Sequence, residues 1–154
     1  LSWIPKTEYI SALVVLITQL SRTKVKYNGN VLLDIFKKTN SSLIRERIGF
    51  VLEESNPVID TQELENILCD AKYGKDIGTL LLAGIKLLSK EKINSILISK
   101  FKQFSLVAIR GFRKKGGQRE LEFLETQLAM GNQGKKEVKE IEKTVQKIQN
   151  RIVA

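Results

Sequence analysis

An aliphatic pair spaced three residues apart recurs four times along the chain, as Leu32/Ile35, Leu64/Ile67, Ile93/Ile96 and Leu121/Leu124, at successive offsets of 32, 29 and 28 residues. That spacing puts both members of a pair on one face of a helix. A short turn and a second apolar helical stretch follow each pair: Leu43–Leu52, Ile77–Leu88, Leu106–Arg113 and Val138–Ile152. A unit of about 30 residues with two helices cannot bury both of its apolar faces alone, so successive units must stack. This repetition confines the chain to helical architectures.

Start and stop signals divide the chain the same way. Pro5-Lys-Thr-Glu8 reads as a helix start, and Tyr9 to Leu20 as a helix apolar on most sides and therefore buried. Tyr27-Asn-Gly-Asn30 reads as a turn, followed by a short helix from Val31 to Lys38. Asn40-Ser-Ser42 caps the next helix, and Asn56-Pro57 ends it. Asp60-Thr61 caps a helix through Ala71 that Tyr73-Gly74 closes, and Lys75 to Ser89 is the most apolar helix. Further helices are expected from Ser89 to about Phe104, Ser105 to about Lys115, Gln118 to Met130 and Lys135 to about Val153, broken at Gly116-Gly117 and Gly131 to Gly134. No strand is expected, because the β-branched residues fall inside helix-period stripes. Gly49, Gly84 and Gly111 sit midway in three of the second helices. Glycine there costs about 1 kcal/mol against alanine, and close backbone approach between stacked neighbours is the expected return.

The Leu-x-x-Ile first helices, turns such as Lys38-Thr-Asn40 and second helices with a small residue midway resemble HEAT and HEAT-like repeat proteins. The resemblance covers about four units from 30 to 152, with 1–26 as an N-terminal capping helix. Its turn motif, an Asp followed by Val-Arg, is echoed only by Ser42-Leu-Ile-Arg45 and is missing at Lys75-Asp-Ile77 and Phe104-Ser-Leu106. The resemblance implies an all-α fold of antiparallel helix pairs stacked as a short, right-handed HEAT-like α-α superhelix (solenoid). One helical-repeat domain over 1–154, excised from a longer protein, is the expected organisation. An irregular helical bundle would show the same pattern.

Catalytic equipment is scarce. The chain has no His, the commonest general base and metal ligand, and Cys69 is its only cysteine. Cys69 lies among Leu64, Ile67 and Leu68 and reads as a small buried hydrophobe. Glu53/Glu54, Glu63/Glu65 and Glu120/Glu122 point to different sides of their helices and cannot act on one bond. Gly131-Asn-Gln-Gly-Lys135 joins two helices, so it reads as an inter-repeat turn and not as a phosphate loop. No enzyme activity, metal or cofactor is expected.

Charge carries the functional expectation. Twenty-six Lys and Arg against 17 Asp and Glu give a net charge of +9. Residues 1–51 carry +5, residues 52–97 carry −3 and residues 98–154 carry +7. Such a chain attracts polyanions over about a Debye length, roughly 8–10 Å. Lys100, Lys102, Arg110, Arg113, Lys114, Lys115 and Arg119 fall within twenty residues without one carboxylate, interrupted by Phe101, Phe104 and Phe112, which read as core. In a solenoid, Arg45, Lys86, Arg110 and Lys139 would line the concave surface as a stripe. Val138, Ile141, Val145, Ile148 and Ile152 form a two-heptad seam on the last helix, read as a closing cap before a partner-binding face. The expected function is a non-enzymatic protein–protein interaction scaffold with an acidic or helical partner. Nucleic-acid (DNA or RNA) binding through the same cations is the alternative, and a HEAT-like DNA-modifying enzyme a distant third. Ser11 to Thr18 is too short an apolar run to cross a bilayer, and the expected location is cytoplasmic.

Overall fold

The computed structural model describes residues 7–22 and 24–154, with the side chains of 7–9 left out. Among these residues the fold is all-α. Its helices are α1 (Thr7–Leu20), α2 (Asn30–Lys38), α3 (Ser42–Glu54), α4 (Thr61–Cys69), α5 (Gly78–Leu87), α6 (Lys90–Ser99), α7 (Ser105–Lys115), α8 (Gln118–Met130) and α9 (Lys135–Val153). A 3₁₀ segment, Ala71–Ile77, connects α4 to α5, and two short strands, β1 (Tyr27–Asn28) and β2 (Pro57–Val58), precede α2 and α4. The chain forms two compact units, residues 1–88 and 89–154.

Side-chain caps account for the starts of α3, α4 and α6. The Ser41 hydroxyl accepts from Ile44 N–H at 3.2 Å, and the Asp60 carboxylate accepts from the N–H groups of Gln62 and Glu63 at 3.0 and 3.3 Å. Ser89 caps α6 in the same way. Helices α7, α8 and α9 have the expected limits, whereas α6 ends at Ser99, short of Phe104, because the chain turns through Lys100–Gln103. The expected continuous helix from Lys75 to Ser89 is instead a 3₁₀ turn followed by α5, with Gly74 in the left-handed region at φ 53°. The expected start at Pro5 lies outside the described residues.

In the first unit α1 packs on α3, α3 on α5, α2 on both α3 and α4, and α4 on α5. The core holds Leu33, Phe36, Ile44, Ile48, Leu52, Leu64, Leu68, Ile77, Leu80 and Leu81, all fully buried. The α3–α5 contact is close at Gly49, where a Cβ would lie 2.5 Å from the Leu80 nitrogen and closer still to the Thr79 hydroxyl. Thr79 donates to the Glu46 carbonyl at 2.7 Å beside it. The expected close approach therefore exists at Gly49.

The expectation of no strand is corrected. β1 and β2 form a short parallel ladder with Tyr27 opposite Pro57 and Asn28 opposite Val58. Gly29 N–H donates to the Val58 carbonyl at 2.9 Å, and Asp60 N–H to the Asn30 side chain at 2.8 Å. The partners are 30 residues apart. The loops entering α2 and α4 run side by side in the same direction, so their backbones pair without any alternating strand pattern.

The expected burial of the first helix is also corrected. Val15 and Leu16 are 57% and 66% exposed, and among the described side chains of α1 Ile17 is the buried one. A helix resting on a single neighbour buries only one side. Cys69 is exposed, against the expected buried position. At 3.6 residues per turn it falls to the side of the stripe formed by Leu64, Ile67 and Leu68.

In the second unit α6 packs on α7 and α8, and α9 lies across α7 and α8. Ile93, Leu97, Ala108, Ile109, Phe112, Leu124, Ile141 and Ile148 form its core. Phe101 and Phe112 are buried and stand edge to face with Phe123, so these two phenylalanines of the basic segment serve the core as expected, while Phe104 is half-buried. The α9 seam is spent mainly on α7 and α8: Ile141 and Ile148 are buried and Val138 and Val145 half-buried, whereas Ile152 is 45% exposed. No described helix is long and apolar enough to cross a membrane.

Candidate basic interface

Most cations named from the sequence sit on helices whose apolar stripes fix which way they can point, while Lys100 and Lys102 lie in the turn between α6 and α7. Arg45, on α3, turns inward. Its guanidinium donates to the Phe36 carbonyl at 3.0 Å and the Thr39 carbonyl at 2.8 Å, closing the C-terminal end of α2. It also pairs with Asp76 at 3.0 Å and lies over the Tyr73 and Phe36 rings at 4.8 and 5.5 Å. Lys86, on α5, donates to the Glu53 carbonyl at 2.7 Å and to the Ser55 carbonyl, closing α3. These two members of the expected stripe are therefore bound to the ends of two different helices, α2 and α3.

The same device operates in the second unit, with a residue the sequence did not single out. Arg151 of α9 donates to the Gly116 carbonyl at 2.6 Å and to the Arg113 carbonyl, closing α7. Arg113 is held against α9 by Thr144 Oγ1 at 3.1 Å and Glu140 Oε2 at 2.5 Å. The Arg113 hydrogen bond holds the Glu140 carboxyl below its ordinary pKa. Arg119 pairs with Glu120 at 2.8 Å and reaches the Ser95 hydroxyl at 3.2 Å. Glu120, 5% exposed, also accepts from Asn94 at 2.9 Å and from Gly117 N–H at 3.1 Å. The sequence reading saw Glu120 only as half of an acidic pair. Its bond to Gly117 N–H is a local contact at the start of α8, whereas its bond to Asn94, 26 residues away, has no local signal.

The lysines behave differently. Lys102, Lys114 and Lys139 are exposed and Lys100 is half-buried, while Arg110 is exposed on α7. Lys115 is half-buried, and burial lowers its pKa, helped by the nearby charges of Lys114 and Lys90. Three ammonium groups thus gather where α7 ends and α6 begins. On α9, Lys136, Lys139, Lys143 and Lys147 recur at steps of 3, 4 and 4 and are all exposed. They form one outward row opposite the buried seam. Only Lys143 of the row has an ion partner, Glu140 at 3.8 Å, and that carboxylate is shared with Arg113. The sequence assigns only Lys139 of this row to the basic face, although the spacing of the others is legible there.

In comparisons with known proteins, the chain matches no family model, no curated protein and no solved structure.

Proposed function

We propose that the chain is a non-enzymatic interaction scaffold, built of stacked antiparallel helix pairs in the HEAT-like manner, whose second unit engages an acidic protein segment. The repeat reading is supported by hydrogen bonds within the units that join residues 31 to 33 positions apart: Arg45–Asp76, Thr79–Glu46, Lys86–Glu53, Ser105–Glu137 and Arg113–Thr144. That separation is close to the first offset of the aliphatic pairs, 32 residues, and a few residues longer than the other two.

One observation carries the partner. The second unit holds 15 Lys and Arg against 7 Asp and Glu, yet Arg113, Arg119 and Arg151 are engaged with carboxylates, hydroxyls and carbonyls of the fold. The outward charge is mainly lysine. Lysine presents a compact, hydrated charge on a flexible stem, whereas the planar arginine fork suits bidentate phosphate recognition. With Phe101 and Phe112 buried, the basic segment offers neither ring as a stacking platform for bases. A carboxylate-rich partner in a cytoplasmic setting fits this surface best.

Fluorescence anisotropy of the whole chain with a labelled Glu-rich peptide, and separately with single- and double-stranded oligonucleotides at two salt concentrations, tests the reading. The peptide should bind, and a Lys136→Glu, Lys139→Glu, Lys147→Glu variant should lose that binding with an unchanged melting temperature. Undiminished binding by the variant overturns the assignment. Tighter binding of an oligonucleotide, with affinity falling log-linearly with salt, replaces the acidic protein by nucleic acid.

A further inference from the structure

The end of α6, the α6–α7 connection, the end of α8 and the start of α9 enclose an open cavity of about 500 Å³ within the second unit. Phe101, Phe123 and Met130 line it. Phe101 and Phe112 are buried and stand edge to face with Phe123, their ring centroids 5.1 and 6.1 Å from its own, so the core fixes the position of that ring. Phe123 itself is only half-buried, and Met130 is 56% exposed. Apolar groups held open to water in a concave site gain by being covered. A rigid ring beside an unbranched, polarizable methionine suits an aromatic occupant.

Cations flank this apolar wall. Lys102 lines the cavity and is exposed. Lys135 and Lys136, both exposed, lie in sequence between Gln133 and Glu137, which also line it. Lys136 is the first member of the outward row on α9, so the cavity adjoins that row through one peptide bond. The one carboxylate of the lining, Glu137, is half-buried and accepts from the Ser105 hydroxyl at 3.0 Å. An apolar wall with exposed cations around it is complementary to an apolar side chain that has carboxylates as its neighbours.

We propose that this cavity receives one aromatic side chain of the acidic segment, with carboxylates beside it reaching Lys102 and Lys136. The proposal rests on the reading of the second unit as the docking site of an acidic protein segment, and it adds the anchor. Lysines are point charges on flexible stems, so a row of them accepts a run of carboxylates in several registers. A single pocket accepts one side chain and thereby fixes the register, as buried aromatic anchors do at other interfaces.

Fluorescence anisotropy of the whole chain with two labelled Glu-rich peptides of equal length and charge, one with a central Phe and one with Ala in its place, tests this. The Phe peptide should bind about tenfold or more tightly, the advantage expected from burying a large apolar side chain. Met130→Gln should cut that advantage severalfold at an unchanged melting temperature, because Met130 is mostly exposed. Nitrogen-15 NMR spectra should show the Phe peptide, and not the Ala peptide, shifting the backbone amides of Phe123 and Met130. Equal affinity of the two peptides overturns the anchor and leaves the acidic reading standing. So does a full advantage in Met130→Gln, or amides of Phe123 and Met130 that the Phe peptide leaves unmoved. Binding of the Phe peptide alone, with no weakening by salt, overturns the acidic reading and the carboxylate contacts with it. Binding of neither peptide overturns both.

Discussion

Single residues decide whether the helices can meet at all. Gly49 lies where a Cβ would strike the backbone of α5, 2.5 Å from the Leu80 nitrogen. Backbone cannot rotate out of the way as a side chain can, so Gly49→Ala forces α3 and α5 apart. We expect it to lower stability by about 3 kcal/mol, at the upper end of the cost of overpacking. The measurement is a urea unfolding curve whose midpoint falls while its slope is unchanged. Gly134→Ala is the control, since nothing lies within 4 Å of its added methyl. This glycine was legible in the sequence because a mid-helix glycine is costly and invites a packing reason. The clamp made by Arg45 was not. An arginine reads as surface charge until the carbonyl ends of α2 and the Tyr73 ring are brought to it by the fold.

Helix ends are closed by cations from elsewhere in the same unit. Arg45 closes α2, Lys86 closes α3 and Arg151 closes α7, each on carbonyls that the helix itself leaves unpaired. Two of these closures, by Arg45 and Lys86, consume charges that the sequence assigns to a binding stripe. The periodic pattern therefore gave α7, α8 and α9 their limits, because glycine breaks and apolar spacing are local. It could not separate structural from outward cations, because that depends on contacts about 30 residues away. The corner joining α6, α7 and α8 shows the same dependence. Asn94 donates to the Lys115 carbonyl at 3.0 Å and to Glu120 at 2.9 Å. Asn94→Ala leaves a part-buried carbonyl and a buried carboxylate each short of a donor, and should cost about 2 kcal/mol in chemical unfolding. A cost near zero would mean that the corner is hydrated and not held by Asn94.

At the scale of the molecule, charge is divided unequally between the two units. Residues 1–88 hold 11 Lys and Arg against 10 Asp and Glu, whereas residues 89–154 hold 15 against 7. The second unit thus keeps nearly all of the excess charge on fewer residues, and that excess works against its own compact state. Lys90, Lys114 and Lys115 show the strain locally, since like charge is among the causes that lower the Lys115 pKa. The Lys136 to Lys147 row shows it along a helix, where like charges one turn apart are unfavourable. Added salt screens such repulsion, the Debye length falling from roughly 10 Å at 0.1 M to 3 Å at 1 M. The Arg45–Asp76 ion pair of the first unit, between α3 and the segment entering α5, is part-buried and screened less. Amide hydrogen exchange reports opening of each region separately. Raising sodium chloride from about 0.05 to about 0.5 M, a range over which the screening length shortens severalfold, should slow exchange in α7 and α9 while leaving α3 and α5 nearly unchanged. An acidic partner does the same work by neutralisation, so bound Glu-rich peptide should protect α9 most strongly at low salt. Equal salt responses in the two units would show that the lysines of the second unit are too well hydrated to repel one another, and would remove the electrostatic basis for its choice of partner.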